Sequence, residues 1–101
     1  MFNQSSPEWE IKSRRAYVVY DGQTGEIVHV HQVTTFRGAK ELTRQEDKAR
    51  ALKLAKQFGH SVKGLRVLTV EPDDLNLTVT QRVNLKTRRL ILDEMETERS
   101  L

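Results

Sequence analysis

Apolar positions in this chain recur at two spacings, every second residue and every third or fourth, and the switches between them divide it into elements. Ala16 to Tyr20 and Glu26 to Thr34 are rich in β-branched and aromatic residues, as strands are, and Asp21-Gly22-Gln23-Thr24-Gly25 between them has the residues of a tight turn. Thr43-Arg44-Gln45-Glu46 then fits a capping box, in which the threonine oxygen accepts from an unpaired amide and the glutamate reaches back. Ala51, Leu54, Ala55 and Phe58 follow at helical spacing with Leu52 at the stripe's edge, and Gly59 and Gly64 supply a stop. A helix is therefore predicted from about residue 43 to 58. Arg44 and Lys48 fall on the side of Ala51 and Ala55, where charges should not be buried, so the first helical turns should overhang the sheet edge.

Leu65 to Val70 reads as a third strand that Pro72 ends, with Leu75 a candidate plug for the core. Leu77, Val79, Gln81, Val83 and Leu85 alternate with Thr78, Thr80, Arg82 and Asn84, the pattern of a half-buried strand in which Gln81 is the polar exception. Leu90-Ile91-Leu92 is the last strand. Val19 to Ile27 and Arg82 to Leu90 align as two copies of one hairpin, each with an Asx residue three places before a threonine. The predicted fold is α+β, two β-hairpins flanking one helix in the order β-β-α-β-β-β. Its antiparallel or mixed sheet should carry the helix on one face and leave the other open.

That open face is where the sequence places function. In the second strand Val28 and Val30 are the natural core side, which sends His29 and His31 outward together, about 7 Å apart along the strand. In the first, alternation separates Tyr17 from Tyr20, so one of them should sit beside the histidines. Trp9, Tyr17, Tyr20, His29 and His31 are the candidate partner-binding residues, with Ile11 and Ile91 as further exposed apolar positions.

Composition bounds these readings. A chain of 101 residues is one domain, expected as an arm over 1–14, a body over 15–93 and a frayed acidic tail over 94–101. No apolar run approaches the roughly 20 residues of a membrane span, and the first residues lack the pattern of a signal peptide, so a cytoplasmic protein with no membrane partner is expected. The absence of cysteine excludes disulfides, thiolate metal sites and a cysteine nucleophile. The net charge of +3 is mild, but residues 37–66 hold nine basic side chains against three acidic ones, so the helix region is the positive pole.

Enzyme chemistry finds little footing. No serine stands in a nucleophile-elbow sequence, Asp73-Asp74 follows a proline in a turn, and the Asp21–Gly25 segment lacks the spacing and lysine of a phosphate loop. No catalytic residue and no cofactor is expected. His29 and His31 are candidate metal ligands, but a third ligand from His60, Asp21 or Glu71 would be needed. Nucleic-acid binding would rest on Arg44, Lys48, Arg50, Lys53 and Lys56 of the helix with Arg82, Lys86, Arg88 and Arg89 of the second hairpin, and would be mainly electrostatic, since paired stacking aromatics are lacking. The favoured expectation is a non-enzymatic interaction domain acting through its open sheet face or an edge strand, on an unidentified protein partner or, as a homodimer, on itself.

Overall fold

The computed structural model describes residues 10–76 and 78–93. Strands β1 (Ile11–Asp21) and β2 (Ile27–Phe36) precede helix α1 (Arg44–Gln57), and β3 (Leu65–Val70), a 3-10 turn (Pro72–Asp74), β4 (Gln81–Asn84) and β5 (Arg89–Leu92) follow it. This is the expected α+β order, with α1 packed against the first sheet. The strands form two antiparallel sheets, β2-β1-β3 and β4-β5. β1 is central because its apolar run Ala16–Tyr20 pairs on both sides, and all five of those residues are buried.

Alternation along β1 sends its side chains into two layers. Val19 meets Ala51 and Ala55 of α1, with Val28, Leu52, Leu65 and Val67 around them. Val18 and Tyr20 meet Val83 of β4 on the opposite side, where Ile27, Val30, Leu68, Val70, Leu75 and Leu90 close the layer. The second face of the sheet is thus not bare, which corrects the open-face expectation: the second hairpin, too apolar at Val83 and Leu90 to remain in water, folds back over it. Each aliphatic side chain so buried contributes about 1.5–3 kcal/mol relative to exposure.

The capping box forms as its spacing predicted. Thr43 Oγ1 accepts from the Glu46 amide at 3.1 Å, and Glu46 Oε1 accepts from the Thr43 amide at 3.0 Å. At the other end Phe58 caps the helix and Gly59 turns the chain with φ of +94°. The buried face of α1 is Asp47, Ala51 and Ala55, while Phe58 is 70% exposed. Arg44 and Lys48 are exposed, as the overhang requires.

Two further differences have local causes. β1 begins at Ile11 rather than Ala16, because Ile11 to Arg15 pair with β2 out to Phe36. The strand expected from residue 77 begins only at Gln81. Asn76 Oδ1 accepts from the Thr78 amide and hydroxyl, and the Gln81 side chain accepts from the Asn76 amide and donates to the Asp74 carbonyl. The polar exception in the apolar series therefore closes a loop that keeps residues 78–80 out of the sheet. Trp9, Leu77 and the acidic segment 94–98 lie outside the described residues.

Candidate functional site

β2 lies at an edge of its sheet. β1 pairs with one side of it, and among the described residues no strand pairs with the other; only Glu26, just before its first residue, bridges to Arg82. An edge strand presents unpaired amides and carbonyls, and proteins usually guard such a row with charge, proline or short length. β3 is guarded in this way, being six residues long, carrying Arg66 and ending at Glu71-Pro72, and β5 has four residues beginning at Arg89. β2 is ten residues long, and Ile27-Val28-His29-Val30-His31-Gln32-Val33-Thr34-Thr35-Phe36 contains no Asp, Glu, Lys, Arg, Pro or Gly.

The histidines of β2 face the helix, not outward. Val19 pairs with His29 while Tyr20 pairs with Ile27, so Val28 is the extra residue of a β-bulge, and the alternation reverses across it. Val28 joins the helix layer and Val30 the hairpin layer, which separates the two valines that the sequence had placed together. An aromatic row results on the helix side. The Tyr17 and His31 ring centroids are 6.2 Å apart, His31 and His29 are stacked at 6.4 Å, and His29 and Phe58 are 5.8 Å apart. Both histidine Nε2 atoms are buried without a hydrogen-bond partner. Burial is the main cause lowering both imidazole pKa values; the nearby His60 lowers that of His29 further, and His29 and Arg50 lower that of His31 against an opposing effect of Asp47.

Tyr17 and Tyr20, expected as exposed partner-binding residues, are 0% and 4% exposed. They do face opposite ways, Tyr17 toward α1 and Tyr20 toward the second hairpin, because both lie in the central strand where each face is covered. Tyr17 sits beside the histidines, but in a closed layer. Its hydroxyl donates to Asp47 Oδ2 at 2.6 Å, and burial followed by this bond raises its pKa. Arg15 donates to the same oxygen at 3.1 Å and to the Leu42 carbonyl at 2.8 Å, and pairs with Glu41 at 3.1 Å. Glu41, which also accepts from Ser13, has its pKa lowered by that bond and then by Arg15 and Lys12. Asp47 is 1% exposed, and sequence reasoning missed it. Its signal was its place four residues before Ala51 and eight before Ala55, on the buried stripe.

The proposed metal ligands are brought together only as a pair. Among the described residues no group of three or more His, Cys, Asp or Glu side chains is placed to hold a metal ion. Asp21 is occupied in its turn, where Oδ1 accepts from the Gln23 and Thr24 amides, and Glu71 lines a cleft of about 470 Å³ between β3 and the second hairpin. Leu68, Val70, Leu90, Arg88 and Arg89 also line that cleft, and no His, Ser or Cys does.

The basic residues are divided. Arg44, Lys48, Arg50, Lys53 and Lys56 are exposed on α1, and Arg82, Lys86, Arg88 and Arg89 belong to the hairpin that covers the other face of the sheet. They do not form one continuous phosphate-binding surface. Arg82 is drawn instead to the first turn, where its guanidinium donates to the Thr24 carbonyl, while the Val83 amide donates to the Gly25 carbonyl at 2.8 Å. Among the described residues none of the five helix cations has an ion-pair partner. No described helix is long and apolar enough to cross a membrane. No protein-family model matches this chain, and neither a curated protein nor a solved structure matches it.

Proposed function

We propose that this chain is an interaction module, not an enzyme, that takes up a partner in extended conformation by strand addition to the outer edge of β2. The observation that carries this reading is the unguarded ten-residue edge: a strand this long, β-branched and uncharged is otherwise an aggregation site, and a bound strand would satisfy its main-chain groups. The other edges are shorter or guarded by charge and proline. The aromatic row of Tyr17, His31, His29 and Phe58 packs β2 on its helix side, so the strand is already extended and paired on one edge when a partner adds to the other, which lowers the ordering cost of binding.

Photo-crosslinking tests this reading. A crosslinking side chain at exposed Gln32 of β2 should capture a partner, or a second copy, that the same group at Lys86 does not. Thr34→Pro should abolish the capture, because proline removes an amide and resists strand pairing. Capture from Lys86 alone, or capture from Gln32 that Thr34→Pro leaves intact, would contradict strand addition.

A further inference from the structure

The cleft of about 470 Å³ between β3 and the second hairpin carries opposite charges at its two ends. Leu68, Val70 and Leu90, half-buried members of the hairpin layer, give it an apolar lining, and its volume is that of a small-molecule site. Glu71 and Asp74 line it from the 3-10 turn and its cap, and Arg88 and Arg89 line it from the second hairpin. The hairpin's own pairing sets these two groups apart. Gln81 donates to the Asp74 carbonyl at 3.0 Å, so the acidic turn sits at the open end of the hairpin, where Gln81 pairs with Leu92. Arg88 and Arg89 lie at the closed end, where Arg89 pairs with Asn84. From Gln81 to Asn84 the strand advances about 10 Å.

Both ends are held in place and neither is satisfied. The Asp74 amide donates to the Glu71 carbonyl at 2.9 Å, and the Asn84 side chain holds the other turn through the Lys86 and Thr87 amides. Yet among the described residues none of the four charged side chains is in an ion pair. Arg88 is the sharpest case. Its φ of +57° is left-handed and its position exposed, and the first turn has glycine at the same place. A Cβ in that conformation costs stability, and no side-chain contact of Arg88 within the described residues offsets the cost. Strain kept at a residue that the turn itself does not require points to a use, and the feature Arg88 lines is the cleft.

We infer that this cleft binds a short apolar peptide of two or three residues with free termini. Its ammonium group sits at Glu71 and Asp74, its carboxylate at Arg88 and Arg89, and its side chains on Leu68, Val70 and Leu90. An extended chain advances about 3.3–3.6 Å per residue, so two or three residues reach from one end to the other. A single amino acid, with both charges on one carbon, reaches one end only. A simple anion meets the arginines and leaves the two acids and the apolar lining unused. The cleft and the β2 edge lie on opposite sides of β1, so each can be filled without the other.

The test titrates the full chain, labelled with 15N, at low salt with leucine, leucyl-valine, leucyl-alanyl-valine and the tripeptide either N-acetylated or C-amidated. The free tripeptide should shift the amides of residues 68–71 and 88–90 and leave those of 27–36 in place. Each cap should weaken binding roughly fivefold, the loss of one exposed charge pair. Arg88→Gly should weaken the free tripeptide by a similar factor and leave the amidated form unchanged, while denaturant unfolding shows it to be the more stable protein. Glu71→Gln with Asp74→Asn should also weaken the free tripeptide, and leave the acetylated form unchanged. An acetylated or amidated tripeptide that binds as tightly as the free one, or leucine that does so, would overturn the two-ended site. Absence of shifts at 68–71 and 88–90 with every ligand would overturn the site itself.

Discussion

The two hairpins share one turn and differ in what holds them. In the first, Asp21 Oδ1 accepts from the amides of Gln23 and Thr24 and the Gly25 amide donates to the Asp21 carbonyl; in the second, Asn84 Oδ1 accepts from Lys86 and Thr87 and the Arg88 amide donates to the Asn84 carbonyl. The fifth residue of each turn has positive φ, +81° at Gly25 and +57° at Arg88. Yet Gly25 is buried, and a Cβ there would lie 2.2 Å from the Val83 carbonyl oxygen, whereas Arg88 is exposed. The first turn is a joint between the sheets and the second is only a turn. A local sequence match therefore reports local geometry, and the consequence of each residue depends on what packs against it.

Substitutions can separate these roles. Gly25→Ala should have the largest effect, destabilising by on the order of 3 kcal/mol, because it adds left-handed strain to a backbone clash at the point where the hairpins meet. Denaturant unfolding would measure it, and loss of the Val83 and Leu90 contacts in methyl spectra should accompany it. Asp47→Ala should cost about 2–3 kcal/mol, since it strands the buried Tyr17 hydroxyl and half-buried Arg15 that fasten the first hairpin to α1. Asp21→Ala and Asn84→Ala should each cost about 1 kcal/mol, the same in both turns because the same two amide bonds are lost. Arg88→Gly should stabilise by about 0.5–1 kcal/mol, relieving the left-handed residue that Gly25 already avoids.

The smallest effect expected is on pH dependence, and it belongs to the first hairpin alone. Burial lowers the pKa values of His29 and His31, so the folded state favours neutral imidazoles while the unfolded state protonates near the ordinary value of 6.5. Stability should be level above that value and fall as pH drops from it toward the lowered folded values. Thermal unfolding between pH 7.5 and 5 would show the slope, and His29→Gln with His31→Gln should flatten it.

Much of the framework was legible because it is local. The Thr43–Glu46 cap, the Gly59 stop, β3 with its Pro72 ending and both Asx turns follow from residues within one turn of each other. Leu75 also packs where its apolar character suggested. What was not legible depended on distant pairing. Nothing near Val28 announces a bulge, yet that one extra residue decides which way His29 and His31 face. Likewise Tyr17 and Tyr20 look like surface anchors until β3 and the second hairpin enclose β1. The unguarded edge of β2 is visible in its composition, but only strand order makes it an edge.

Hydrogen exchange along β2 tests the central claim most directly. The full chain would be exchanged with and without a saturating excess of a soluble, extended, threonine-rich peptide. Strand addition requires that new protection fall on alternate amides of residues 27–36, the outward-pointing ones, with β3 and β5 unchanged. Protection that appears on α1 or the second hairpin while the amides of β2 exchange as before would contradict the account.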